Sequence, residues 1–233
     1  MVKLFGQKLN GSMLTLTDIT KSFTRQRVLE GVSLQVQAGE SLAVMGPSGS
    51  GKSTLLHCMS GVLTPDSGEV VFDGTNIAAL DDAARSKLRL NHFGFIFQDG
   101  QLLPELTATE NVALPQIMRG TSRKEAHEQA DDMLTRLGLG NFTSRFPGQL
   151  SGGQAQRVAI ARALAGPPKV VFADEPTAAL DQATGHEVMQ EIVAVAQKFG
   201  VTLVLVTHDP KIAAWCNRRI EIRDGLIHSE VTA

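Results

Sequence analysis

Two stretches near the start of the chain, Leu14–Ile19 (LTLTDI) and Val32–Val36 (VSLQV), alternate apolar and polar residues. That period-two pattern predicts half-buried antiparallel strands. Gly31, Gly39 and the pair Asp73-Gly74 supply turn signals around them, and Pro65-Asp66-Ser67-Gly68 reads as a turn into a strand over Glu69–Phe72. Further on the apolar runs become continuous. Glu40–Met45 (ESLAVM), Phe93–Phe97 (FGFIF), Lys169–Ala173 (KVVFA) and Thr202–Val206 (TLVLV) have the character of strands buried on both faces. Helical periodicity marks Ser53–Ser60, Ala155–Leu164 and the amphipathic Thr184–Lys198. The stretch 107–145 is rich in Ala, Glu, Gln, Met and Arg. Its apolar residues Ala126, Ala130, Met133, Leu134 and Leu137 repeat at helical spacing before stop signals at Gly138 and Gly140. A closing hairpin is predicted over 219–228, around Asp224-Gly225.

Strands alternating with helices predict an α/β fold whose sheet is mostly parallel, with right-handed crossovers. An antiparallel β subdomain precedes it and an α-helical subdomain is inserted. We read residues 1–233 as one domain, with the core over about 13–98 and 165–233 and the helical insertion over about 99–164.

Composition narrows the classes. The chain has 233 residues, 42% of them hydrophobic, and a formal net charge of −2, so no overall basic field points to nucleic acid. No apolar run approaches the ~20 residues that span a bilayer. Met1–Ser12 lacks the apolar segment and cleavage pattern of a secretory signal, from which a cytosolic protein is expected. Cys58 and Cys216 fit neither a disulfide framework nor a metal site and read as packed thiols.

Chemistry concentrates first at Gly46-Pro47-Ser48-Gly49-Ser50-Gly51-Lys52-Ser53, which matches G-x-x-x-x-G-K-[ST] at every fixed position. It lies between a predicted strand and a predicted helix, the setting of a P-loop. Glycines let the backbone curl around phosphate oxygens, Lys52 reaches the β- and γ-phosphates, and Ser53 suits Mg²⁺. A second run, Leu150-Ser151-Gly152-Gly153-Gln154, precedes another predicted helix. It reads either as an ordinary N-cap with flexible glycines or as a second anion site.

Asp174 and Glu175 end the apolar strand Val170–Ala173. They suit a metal role and an attacking-water role respectively, or else they cap the next helix. Gln98 and His208 also follow strands directly. Phe23 reads either as a face for an adenine ring or as an ordinary turn aromatic.

Taken together, this set resembles the nucleotide-binding subunit of an ATP-binding cassette (ABC) transporter, over Leu14 to about Ile227. The resemblance makes Gly46–Ser53, followed by Thr54, the Walker A motif and Gln98 the Q-loop. Leu150–Gln154, with Arg157 following, becomes the signature. It makes Asp174 the end of Walker B, Glu175 the catalytic carboxylate, Ala178–Asp181 the D-loop and His208 the switch histidine. Phe23 falls at the family's adenine-stacking position, usually tyrosine, and this chain has no tyrosine. Ala178 departs from the usual serine or glycine, leaving no hydroxyl there. Gly94–Gln98 and Leu102–Val112 (LLPELTATENV) are similar to the subgroup of lipoprotein-release, macrolide-export and haem-efflux ATPases, whose permeases carry a large extracytoplasmic domain.

The resemblance implies ATP and Mg²⁺ as cofactors. Phe23, Ser48, Gly49, Ser50, Gly51, Lys52, Ser53 and Thr54 would hold the nucleotide, and Ser53, Gln98 and Asp174 the metal. Ser151, Gly152, Gly153, Gln154 and Asp181 would complete the pocket of a second copy in a head-to-tail pair. Glu175, His208, Lys52 and Gln98 would carry the hydrolysis. It further implies integral-membrane permease partners, a location on the cytoplasmic side of the membrane through them, and no nucleic acid. Rival readings are a soluble or scaffold ABC ATPase in cell division or another non-transport role, and a P-loop kinase or GTPase. The last two have no need of Leu150–Gln154.

Overall fold

In the computed structural model, which describes residues 12–24 and 26–232, the early alternating stretch becomes a long hairpin. Its strands are β1 (Ser12–Phe23) and β2 (Gln26–Gln37), paired antiparallel with Leu16 opposite Leu34. They outrun the predicted segments because irregularities re-aim the side chains. Asp18 takes a left-handed φ of 49°, its N–H donates to Ser33 Oγ at 3.0 Å, and the register shifts between Leu16 and Ile19. Strands β3 (Ser41–Met45), β4 (Ser67–Phe72) and the short β5 (Thr75–Asn76) follow, with β4 pairing antiparallel to β1. Residues 1–11, part of the stretch read as lacking a secretory signal, lie outside the described residues.

The chain divides into two compact units. The first comprises residues up to Ser86 and from Val193 onward. In it β3 runs parallel to both β8 (Thr202–Val206) and β9 (Arg218–Arg223), and β9 forms the expected hairpin with β10 (Leu226–Thr232). Leu42, Ala43, Val44 and Leu203–Val206 are fully buried, which is why these strands read as unbroken apolar runs. Helix α1 (Lys52–Met59) follows β3. Cys58 and Cys216 are buried free thiols, each pushed by burial up to about 11. They are protonated at neutral pH and pack as small hydrophobes.

The second unit, Lys87–Ile192, holds β6 (Phe93–Ile96) parallel to β7 (Val170–Asp174). Phe172 on β7 anchors it, edge-on to Phe93 with ring centroids 5.1 Å apart and stacked near Phe95 at 5.7 Å. The Ala- and Glu-rich stretch 107–145 contains two helices, α3 (Ala108–Met118) and α4 (Arg123–Arg136), separated at Gly120 with φ 98°. Both begin at caps visible in the sequence. Thr107 forms a reciprocal box with Glu110, and Ser122 accepts from Glu125 N–H. Helix α5 (Gly152–Leu164) starts three residues before the predicted Ala155, and α6 (Gln182–Phe199) is slightly longer than expected.

Among the described residues, two α-helices have no counterpart in the sequence reading. One is α2 (Asp82–His92), which buries no residue and carries more charged and polar side chains than apolar ones; Asp81, accepting Ala84 N–H at 2.8 Å, marks its start. The other is the single-turn α7 (Pro210–Ala213), capped by Asp209.

A Cβ placed on Gly46, whose φ is 145°, would stand 2.1 Å from the Ile222 carbonyl oxygen of β9. Gly46→Ala is accordingly expected to destabilise the fold by roughly 2–4 kcal/mol, from left-handed strain plus overpacking against backbone. The urea midpoint would report it, and an unchanged midpoint would refute the close approach.

Candidate nucleotide site

Gly46–Ser53 links β3 to α1 as a loop of left-handed glycines, with φ of 145° at Gly46, 78° at Gly49 and 103° at Gly51. At Gly51 the reason is steric as well as conformational, since a Cβ there would meet the Val28 carbonyl oxygen of β2 at 2.7 Å. Gly51 is also the N-cap of α1, so the helix has no side-chain cap, and no acid lies in its first turn. Its leading N–H groups and the positive end of its dipole are therefore presented to the loop.

Lys52 is buried, and its ammonium turns back to donate to the Pro47 carbonyl at 2.9 Å. Ser50 is buried too, and its hydroxyl has no hydrogen-bond partner. Ser48, Gly49 and Ser53 are exposed and Thr54 is half-buried. A polyphosphate fits this donor set. It would occupy the N–H groups of the curled loop, the orphaned Ser50 hydroxyl and the Lys52 ammonium, and there is no carboxylate within the loop to repel it.

Phe23 ends β1 with its ring 45% exposed. Its surroundings are fixed by Asp66, which accepts from Lys21 Nζ at 2.8 Å and from Ser22 N–H at 2.6 Å. Those bonds, the Lys21 one first, hold the Asp66 carboxyl below its ordinary range. Lys21 Nζ is also 5.8 Å from the centre of the Phe23 ring. His208 follows β8 and is exposed. It lines a 520 Å³ cleft together with Gly46, Pro47, Arg219 and Glu221, so the structure brings the predicted histidine and the start of the phosphate loop to one opening.

The remaining predicted residues belong to the second unit. Gln98 is exposed in the turn after β6. Asp174 is the last residue of β7, and Glu175 beyond it has a φ of 46°, an uncommon conformation for a non-glycine residue and one met disproportionately at working sites. Ala178 and Asp181 are exposed. Ala178 N–H donates to the Glu175 carbonyl at 3.1 Å. Asp181 Oδ1 accepts from Ala183 and Thr184 N–H, both at 3.1 Å, and hydrogen bonding, from Thr184 first, lowers its carboxyl below the ordinary value. These bonds make Asp181 the cap of α6, a role the sequence reading offers to Asp174 and Glu175.

The Leu150–Gln154 run takes the ordinary capped form. Ser151 Oγ accepts Gln154 N–H at 3.3 Å, and Gln154 Oε1 accepts Ser151 N–H at 2.9 Å. The glycines are not there for left-handed φ; neither Gly152 nor Gly153 has a positive one. They admit the neighbouring segment instead. A Cβ on Gly152 would come within 3.3 Å of Leu180, and one on Gly153 within 2.7 Å of the Thr184 methyl. Arg157 adds ion pairs to Glu191 at 3.0 Å and Glu187 at 3.5 Å, so α5 and the start of α6 are packed side by side. Sequence reasoning missed Gln156 and Arg162, which reach the Gln98 turn from α5. Their only signal was polar character on a helix otherwise apolar from Val158 to Leu164. Among the described residues, no group of three His, Cys, Asp or Glu side chains is gathered for a metal ion, and no helix is long and apolar enough to cross a membrane.

Comparison with known proteins places this geometry. The family model described as ABC transporter matches residues 29–178. The lipoprotein-releasing system ATP-binding protein LolD of Shewanella frigidimarina is 49% identical over 201 residues, covering 86% of this chain and 84% of that protein. The ABC transporter ATP-binding protein YtrE of Bacillus subtilis is 43% identical, covering 88% and 89%. The macrolide export ATP-binding/permease protein MacB of Marinobacter nauticus is 45% identical over 91% of this chain but only 34% of its own length. Among solved structures, a dimeric ATP-binding cassette in a post-hydrolysis state, bound to ADP and Pi, superposes with a TM-score of 0.88 at 41% identity, covering 94% of this chain and 98% of that one.

The Gly153 contact is testable by a double-mutant cycle. Gly153→Ala is expected to lower stability by about 1–3 kcal/mol, and Thr184→Ser, which removes the opposing methyl, to recover most of that loss. Additive effects in chemical denaturation would show that the two residues do not touch.

Proposed function

The chain belongs to the ABC transporter family of ATPase cassettes, and on that premise we propose how its residues divide the work of hydrolysis between two copies. The observation that carries the reading is the pairing of two unlike helix starts in one chain. One, at Gly51, is uncapped and set beside a buried ammonium and an orphaned hydroxyl. The other, at Ser151, is capped from within. The first suits the phosphates of a bound ATP, the second the outer face of ATP held by a second copy.

In this scheme the whole chain is one cassette, with its core over about 13–98 and 165–233 and a helical insertion over about 99–164. Phe23 offers a face to adenine. Ser48, Gly49, Ser50, Gly51, Lys52, Ser53 and Thr54 hold the phosphates. Mg²⁺, when bound, neutralises phosphate charge and fixes the oxygens in place. Ser53, Gln98 and Asp174 are the side chains that would hold it, directly or through water. Ser151 keeps Gln154 N–H as an inward bond while its own O–H proton is available to donate outward, because a hydroxyl has one donor and two acceptor positions. With Gly152, Gly153 and Gln154 it would present preorganised dipoles to the second copy's γ-phosphate. Asp181 holds the start of α6 beside that run. Glu175 orients and deprotonates the attacking water, and His208 holds the γ-phosphate. Hydrolysis removes the charge that joins the copies, and they part.

The relatives named for lipoprotein release and macrolide export suggest the setting. We assign the chain as the motor of a permease that extrudes or extracts an amphipathic or hydrophobic substrate, docked at the cytoplasmic side of the membrane, with no nucleic-acid partner.

Glu175→Gln is expected to slow phosphate release by roughly 10²–10⁴-fold, the range for loss of a general base, while trapping an ATP-dependent dimer visible by sedimentation. Turnover at the parent rate would remove Glu175 from its role. Ser151→Arg should retain ATP binding in calorimetry yet abolish both turnover and the dimer. Loss of binding itself would mean that Ser151 serves its own copy's nucleotide.

A further inference from the structure

Phe23 is the last residue of β1, at the tip of the β1–β2 hairpin, with Thr24 beyond it at a left-handed φ of 57°. Its ring is nearly half exposed and, unlike a tyrosine ring, carries no hydroxyl by which a partner could hold it. A platform for a base has to keep one orientation, so another group must aim this ring.

The pairing of β1 with β4 ends where Thr20 faces Ser67, while β1 runs on to Phe23. Its register with β2 also shifts between Lys21 and Ser22. The carboxylate of Asp66, the residue just ahead of β4, takes over at that point. Its Oδ2 accepts Ser22 N–H at 2.6 Å, as the carbonyl of a neighbouring strand would. Its Oδ1 accepts from Lys21 Nζ at 2.8 Å. Asp66 N–H donates in turn to the Thr20 carbonyl at 2.8 Å, and the Thr20 and Ser67 hydroxyls share a bond at 2.8 Å.

The mount is rigid. A Cβ on Gly68, whose φ is 92°, would stand 2.4 Å from the Thr17 carbonyl oxygen and 2.5 Å from that of Asp18. The start of β4 is therefore seated backbone against backbone on the irregularity of β1, a contact that cannot yield as a side chain can.

Lys21 is drawn in by the pair, with only 16% of its side chain exposed, which is uncommon for a lysine. Its Nζ lies over the Phe23 ring, 5.8 Å from the centre and within reach of cation–π attraction. A cation over one face leaves the opposite face open to a flat partner. Asp66 thus fixes the residue next to Phe23 and also sets the cation that covers one side of its ring.

We propose that Asp66 is a positioning residue for the base: through Lys21 and the Ser22 N–H it aims the Phe23 ring at the adenine of a bound nucleotide. This role rests on the reading of Phe23 as the adenine face and adds to it the group that orients the ring. Asp66 acts on binding alone, so its loss raises KM for ATP and leaves kcat in place.

The test is the calorimetric affinity for ADP of the full chain carrying Phe23→Ala, Asp66→Ala or both, with melting temperature and steady-state ATP hydrolysis measured alongside. Phe23→Ala is expected to weaken ADP by roughly 5–150-fold, the range that base–aromatic stacking spans. Asp66→Ala should weaken it by roughly 5–20-fold, the lower part of that range, with KM for ATP rising in step and kcat within about twofold. In the Phe23→Ala background, Asp66→Ala should cost no further affinity, because the ring it aims is gone. Equal losses in the two backgrounds, or parent ADP affinity in Asp66→Ala whatever its melting temperature, would overturn the inference. Parent ADP affinity in Phe23→Ala would instead overturn the adenine-face reading. Should Asp66→Ala not fold, Asp66→Asn, which keeps an acceptor for Ser22 N–H while releasing Lys21, decides by the same cycle.

Discussion

One peptide carbonyl, that of Val28 in β2, organises the phosphate loop. A Cβ on Gly51 would stand 2.7 Å from it, and one on Gly225, in the β9–β10 turn, 2.6 Å. Gly225 in turn accepts from Glu30 N–H at 3.0 Å and donates to the Ser50 carbonyl at 3.3 Å. Three segments far apart in sequence therefore converge at a spacing that excludes any side chain. The loop is shaped from outside as much as by its own glycines. Because backbone cannot yield as a rotamer can, the cradle is rigid before any phosphate arrives.

The two helix starts solve the same electrostatic problem in opposite ways. At α1 no side chain caps the start, and the helix dipole and the orphaned Ser50 hydroxyl face the place proposed for the anion. At α5 the chain itself serves the N–H groups of Ser151 and Gln154, and the N–H groups of Gly152 and Gly153 and the Ser151 hydroxyl proton are what remain to be given. A primary site with its own donors unspent binds anions without help. A capped start contributes only when an anion is brought to it, which is the asymmetry a nucleotide shared between two copies requires.

Much of this was legible in the chain. The buried strands declared themselves by unbroken apolar runs, Gly46–Ser53 by its spacing, and α4 by the helical repeat of Ala126, Ala130 and Leu134. What could not be read were contacts between remote segments. Nothing local to Gly152 or Gly153 says that they are small for the sake of Leu180 and Thr184 rather than for flexibility. Helix α2 was passed over because charged and polar side chains outnumber its apolar ones and none is buried, so no apolar run marks it. Gln156 and Arg162 hid for the converse reason: their partners are main-chain carbonyls, and a carbonyl leaves no trace in sequence. Asp174 and Glu175 were visible as the acidic end of β7, but the left-handed turn at Glu175 was not.

The reciprocal bonds between Ser151 and Gln154 bear on the speed of assembly as well as its geometry. Coupled folding slows many associations, because a surface must be ordered after contact. Here the approaching surface is held ready in the isolated chain. In the proposed two-copy scheme, ATP-loaded copies then have only to collide in the right orientation, and the lifetime of their union would be governed by the nucleotide between them.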